Sequence, residues 1–173
     1  MNASKKQSQF YLILILGLMS AIGPLSIDMY LPAFPSIAKG LNTSIEKVTL
    51  SLSSFFIGIS IGQLVYGPLL ERYGRKIPLY FGLGLYAIAA FACATAVSVE
   101  MLILFRFFQA LGGCVGMVAS RAMVRDLFDV KDNAKVFSTL MLVIAVSPII
   151  APTLGGFITG YFGWRYIFVM LIL

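Results

Sequence analysis

Two charged residues sit where charge is costly. Arg106 interrupts the otherwise uncharged run Met101–Ser120, and Asp28 directly follows the uncharged run Gln7–Ile27. An ionisable side chain inside an apolar span is expensive to bury, so a functional role is the default reading. Gln109 follows Arg106 by three residues, which on a helix places a second polar group on the same face. Each charge also has a plainer reading. Arg106 lies five residues past Met101 and could snorkel to the outer interface. Asp28 could be an acid at the wet end of its helix. At 1.5 Å per residue, Asp28 is about 27 Å along its helix from Phe10, and Arg106 is about 9 Å in from the opposite, outer end of its own span. Across a core of about 30 Å the two depths differ by about 6 Å. They can share a layer, although depth alone gives no azimuth.

Other chemistry is missing from the chain. It has no histidine, which removes His-ligated metal sites, His general bases and Ser-His or Cys-His pairs. Cys93 and Cys114 are far apart and each lies in an apolar stretch; they read as polarizable packing residues, not as a metal or redox motif. No catalytic residue, metal ligand or cofactor site is expected, and an enzyme is not.

The elements that would carry these residues are spans. The 173 residues are 60% hydrophobic and 12% charged, against about 25% charged in a soluble domain, and the mean hydropathy is +0.94. The net charge of +6 is distributed between long uncharged runs instead of forming one basic block, so a nucleic-acid partner is not expected. The uncharged runs are Gln7–Ile27, Val48–Leu70, Ile77–Val99, Met101–Ser120 apart from Arg106, Val136–Trp164 and the short Tyr166–Leu173. A crossing helix needs about 20 apolar residues, and continuous runs favour helices over alternating barrel strands. We read one bundle over residues 1–173, with spans at about 10–31, 46–70, 77–98, 101–122 and 135–161, and an incomplete sixth at 164–173. Lys5 and Lys6 ahead of Phe10–Ala21 are laid out like a signal peptide, but no small-x-small cleavage site follows and four more spans do.

Lysine and arginine in the short loops give the orientation. With the N-terminus inside, the inner segments hold Lys5, Lys6, Arg72, Arg75, Lys76, Arg121, Arg125, Lys131 and Lys135, and the outer segments hold Lys39, Lys47 and Arg165. The N-terminus is therefore expected in the cytoplasm. Thr43 and Glu46 fit a capping box at the start of the second span. Ser98–Glu100 reads as a tight outer hairpin, and Arg121–Lys135 as a helix end plus connector. Ser54, Gly58 and Gly62, then Gly112, Gly116 and Ser120, then Gly156 and Gly160 recur every four residues, a spacing that lets helices approach closely in lipid.

Four motifs remain. The second loop holds Gly67, Leu69, Glu71, Arg72, Gly74, Arg75 and Lys76 in the pattern G-x-L-x-E-R-x-G-R-K, and Gly74 suits the tight turn. This loop resembles the signature between helices 2 and 3 of the major facilitator superfamily, with Glu71 where aspartate is usual. Leu102 to Gly113, carrying Arg106 and Gln109, resembles the family's fourth-helix motif, with Ala110 for a glycine. Ser147, Pro148, Ala151, Pro152, Gly155 and Gly156 resemble its antiporter motif, with Ser147 and Ala151 for glycines; the two prolines also remove helix hydrogen bonds and bend the span. Ser26-Ile-Asp28-Met-Tyr30-Leu-Pro32-Ala-Phe-Pro35, Arg121 to Phe128 and Gly163-Trp164-Arg165 are similar to the Bcr/CflA-type multidrug efflux branch.

The resemblance implies an all-α integral membrane fold, the N-terminal six-helix bundle of a twelve-helix transporter whose C-terminal half is a missing partner. It implies drug/H+ antiport of small amphipathic compounds across a bacterial inner membrane, with the bilayer and small-molecule drugs as partners and protons as the coupling ion. Asp28 and Arg106 would couple protons. Tyr30, Gln63, Gln109 and Met117 would line the substrate cavity. Gly67, Glu71, Arg72, Gly74, Arg75 and Lys76 would form a gating loop, and Pro148, Pro152, Gly155 and Gly156 the antiporter motif. Export of a metabolite or other small solute, and a non-transporting half-transporter scaffold, are the alternatives. The chain is expected to be a piece of that larger protein.

Overall fold

The structure is a computed structural model; it describes the backbone of residues 3–128 and 130–172 and the side chains of residues 10–128 and 133–172. The side chains of Lys5, Lys6 and Lys131, which contributed to the orientation count, lie outside the described residues.

The described backbone is helical: α1 (Ala3–Asp28), a 3-10 turn (Leu31–Ala33), α2 (Phe34–Gly40), α3 (Ile45–Arg72), α4 (Lys76–Ala94), α5 (Val99–Leu127), α6 (Val130–Tyr161) and α7 (Arg165–Met170). Among the described residues, five helical stretches are long and apolar enough to cross a membrane: Phe10–Gly40, Ile45–Arg72, Lys76–Ala94, Val99–Leu127 and Asn133–Tyr161. These are the five runs read from the sequence, with altered ends. The first does not stop near residue 31. It breaks after Asp28, passes through the 3-10 turn and resumes as α2, because Pro32 and Pro35 supply no backbone N–H.

Two helix starts also differ from expectation. Ser44, not Thr43, caps α3, its hydroxyl accepting the Lys47 N–H at 3.3 Å; the Thr43 N–H is directed to the Ala38 carbonyl at 2.9 Å. Ser98 is not the start of a hairpin but the cap of α5, accepting the Met101 N–H at 3.3 Å. In each case the serine is in extended backbone one residue before the helix, the geometry that lets a hydroxyl reach an orphan N–H. The turn is instead made by Thr95–Ser98, since α4 ends at Ala94.

α5 is the hub, packing on α3, α4 and α1, while α6 lies mainly along α1. Small residues permit this. A Cβ on Gly58 would sit 2.5 Å from the Phe107 carbonyl, one on Gly112 2.5 Å from the Tyr86 nitrogen, and one on Gly116 2.5 Å from the Met19 carbonyl. Backbones this close gain the dispersion contacts that hold helices together in lipid, where apolar burial supplies little drive. The spacing argument fails on α6. Gly160 has open space around it and Gly156 meets nothing nearer than Pro32 Cβ at 3.9 Å; the close-packed glycine there is Gly155, against Met29.

The largest buried cluster lies at the end away from the α3–α4 loop. It joins the break in α1 to α2, α4, α5 and α7 through Tyr30, Ile37, Cys93, Leu102, Trp164 and Phe168. Arg165 stacks on Trp164 with 4.4 Å to the ring centroid and donates to the Ala96 carbonyl at 3.0 Å, tying the α6–α7 turn to the α4–α5 turn. Outward-facing Leu64, Ile88, Phe91, Ile149 and Phe157 are all exposed. This apolar belt suits hydrocarbon, not water.

Candidate functional site

Arg106 is fully buried, at 0% exposure. Its Nη1 donates to Gln109 Oε1 at 2.9 Å and its Nη2 to the Ser26 carbonyl at 3.1 Å. Its guanidinium lies 4.0 Å from the Phe55 ring centroid and 4.3 Å from that of Tyr30, with Phe168 at 5.9 Å. The aromatic faces offer the buried cation an electron-rich surface in place of the water it has lost. Snorkelling is therefore not what Arg106 does: it turns inward, to α1.

Asp28 ends α1 and is half-buried. Its Oδ2 accepts from the Ser147 hydroxyl on α6 at 3.4 Å. Asp28 and Arg106 do not form an ion pair; Arg106 reaches the chain two residues earlier, at the Ser26 carbonyl. Arg106 of α5 and Ser147 of α6 thus reach the same turn of α1, the first at the Ser26 carbonyl and the second at the Asp28 carboxylate.

Ser26 is the node of this layer. Its hydroxyl donates to the Ile22 carbonyl at 2.6 Å and accepts from Tyr86 at 2.7 Å, because serine has one proton to give. By the same accounting, Tyr30 donates to Ser51 at 2.6 Å, and Ser51 donates to the Val48 carbonyl at 2.6 Å. Ser26 enters the sequence reading only as the first residue of the Ser26–Pro35 motif, and Ser51, Tyr86, Phe55 and Phe168 do not enter it. For Ser51 and Tyr86 a hydroxyl within an apolar run is the only signal, and it does not distinguish a cross-helix bond from a local one.

The four cavity candidates sit at different places in the bundle. Tyr30 and Gln109 belong to the buried Arg106 cluster. Met117 packs beside Gly23, whose Cβ would lie 3.1 Å from its sulfur. Gln63 opens on a cleft of about 260 Å³ shared with Gly67, Glu71, Arg75, Arg121 and Arg125. Sequence order places Gln63 among the second-span residues, but its azimuth and height join it to the loop end of the bundle.

Of the expected gating-loop residues, Gly67, Glu71 and Arg75 line that cleft. Gly74 has φ +76°, the left-handed turn expected of it. Arg75 Nε donates to Asp126 Oδ2 at 2.9 Å, tying the loop to the end of α5. Arg72 stacks on Tyr73, with 5.4 Å to the ring centroid, and Glu71, Arg72 and Lys76 are exposed. Gly67 has nothing within 4 Å of its missing Cβ. On α6, Pro148 is exposed and Pro152 half-buried, both within one continuous helix. A Cβ on Gly155 would strike the Met29 carbonyl, so this glycine lets α6 touch the break in α1.

The Major Facilitator Superfamily profile matches residues 16–173. An uncharacterized MFS-type transporter of Bacillus subtilis is 42% identical over 164 residues, 94% of this chain and 41% of the relative. The bicyclomycin resistance protein homolog of Haemophilus influenzae is 39% identical over 170 residues, 98% of this chain and 43% of its own length. The multidrug resistance protein D of Escherichia coli is 31% identical over 170 residues, 97% and 43% respectively. The chain belongs to the major facilitator superfamily: it is a multi-pass membrane protein of a transporter family, not of an enzyme family. It spans about two fifths of the length of these relatives.

Proposed function

We propose that this bundle is the N-terminal half of a twelve-helix transporter that exports small amphipathic compounds from bacteria in exchange for protons, with the N-terminus cytoplasmic. The relatives' names, bicyclomycin resistance and multidrug resistance among them, support the substrate class. The loop-charge asymmetry supports the orientation. The observation that carries the proton reading is Asp28, a half-buried acid at the break of the first span, facing Ser147 on the antiporter-like segment of α6.

A carboxylate there accepts from the Ser147 hydroxyl. Once protonated, it keeps an acceptor oxygen but gains an O–H donor and loses the charge that strengthens the bond from Ser147, and the change falls where α1 and α6 touch. Loading and release of a proton would thereby alter the packing of α6 on α1 within this half and so bias the rocking of the two halves by which alternating access works.

The test is Asp28→Asn in the whole protein that carries this chain, reconstituted in proteoliposomes with an imposed pH gradient. Loss of gradient-driven drug efflux is expected. Efflux unchanged from wild type overturns the proton role. Gradient-driven efflux of a different solute, with none for drugs, favours metabolite export, and no efflux of either by the wild type favours a scaffold.

A further inference from the structure

We propose that Tyr86, Ser51 and Ser147, together with Arg106, form a polar collar that holds α1 broken at Asp28, with Arg106 acting as a positioning residue on the broken backbone and not as the charge partner of Asp28. Its bearing on transport rests on the proton reading above; the collar itself does not.

The hydrogen-bond pattern of the break carries the inference. An α-helix leaves its last carbonyls without intrahelical donors, and inside a bilayer no water replaces them. At the end of α1 the Tyr30 N–H turns to the Ile27 carbonyl at 3.1 Å. The Ser26 carbonyl thereby loses the donor that a continuing helix would supply, and Arg106 Nη2 fills the place. The Asp28 carbonyl cannot be served from Pro32, which has no N–H.

Each flank of the break is then gripped by a different helix. Tyr86 on α4 donates to the Ser26 hydroxyl before the break. Ser51 on α3 accepts the Tyr30 hydroxyl after it. Ser147 on α6 donates to Asp28 within it. Tyr86 is itself fixed, because Gly112 of α5 lies against its backbone nitrogen and Gly113 against its ring. Tyr30, Ser51, Tyr86 and Arg106 are all buried, so none has a water partner to fall back on. The arrangement leaves the Asp28 carboxylate facing α6 while Arg106 is held on the α5 side. An arginine bonded to a backbone carbonyl can position the acid without neutralising it.

The experiment is amide hydrogen–deuterium exchange at residues 29–34 in the whole protein that carries this chain, held in lipid nanodiscs. Tyr86→Phe and Ser51→Ala should each speed exchange there by about fivefold, the effect of losing one ordinary hydrogen bond. Ser51→Thr, which keeps the hydroxyl, should return to the wild-type rate. Tyr66→Phe, which removes the hydroxyl of another buried tyrosine, should leave residues 29–34 unchanged. The collar is overturned if Tyr86→Phe and Ser51→Ala are silent at 29–34, if they speed exchange equally along all helices, or if Tyr66→Phe has the same effect. The two readings fail separately. Asp28→Asn with normal efflux refutes the proton role and leaves the exchange result standing, whereas silent exchange removes the collar whatever Asp28 does.

Discussion

Gly155 and Gly156 are neighbours in one motif, yet the structure gives them opposite fates on substitution by alanine. A Cβ on Gly155 would collide with the Met29 carbonyl and come within 2.8 Å of both the Met29 carbonyl carbon and Cα. These are backbone atoms of the break in α1 and cannot rotate away. A Cβ on Gly156 meets nothing closer than Pro32 Cβ at 3.9 Å, an ordinary contact. Both changes carry the same gain in helix propensity, about 0.8–1.0 kcal/mol. That gain cancels in the comparison and isolates the steric cost. Overpacking of this kind costs about 1–3 kcal/mol, so Gly155→Ala should be less stable than Gly156→Ala by about that amount, at least about fivefold in the folding equilibrium. The same displacement should part Ser147 from Asp28, whose 3.4 Å contact is already long. The assay is reversible unfolding of the 173-residue chain in mixed micelles, followed by fluorescence of Trp164. It is the single tryptophan of the chain, and it is buried at 5% exposure. Equal stability of the two variants, or greater loss in Gly156→Ala, would refute the assignment of Gly155 as the contact of α6 with the break.

Three further outcomes can be measured on the same preparation. Gly62→Ala should destabilise by about 1–3 kcal/mol and be relieved by Cys114→Ala, because the obstructing atom is the Cys114 sulfur; Gly58→Ala meets the Phe107 carbonyl and should not be relieved. Breaking the exposed Arg75–Asp126 pair should cost little in a double-mutant cycle with Arg75→Gln and Asp126→Asn, and less still in high salt; a coupling that high salt leaves unchanged contradicts the surface-pair description. Cys93 and Cys114, at 0% and 1% exposure, should react with maleimide only after unfolding, and labelling of either at its unfolded rate in the native chain would contradict their burial.

Membrane class, the number of long helices and the family were all legible in the chain. They depend on local quantities: the length of uncharged runs, and motifs whose residues are close in sequence. The short-range features were less secure. Thr43 and Ser44 are adjacent potential caps, and the choice between them follows from which residue adopts extended backbone once Thr43 bonds back to Ala38. Glycine spacing is likewise a local pattern, and it correctly marked Gly58, Gly62, Gly112 and Gly116. It missed Gly155, because only the placement of α6 against α1 distinguishes that residue from Gly156.

The position of Asp28 and Arg106 in one layer follows from their distances along apolar runs, since helical rise converts residue number to depth. Their partners do not follow from it. Rotation about each helix axis turns Arg106 toward the Ser26 carbonyl and Asp28 toward Ser147, and rotation is set by ridge-to-groove packing among helices far apart in sequence. Gln63 differs: at 1.5 Å per residue it lies about 27 Å along α3 from Ile45, so depth already places it toward the α3–α4 loop and away from Tyr30 and Gln109. Run length and composition settle that these helices cross a membrane and roughly how deep each polar group lies. Which groups meet is settled by azimuth, a property of the packed bundle and of no single run.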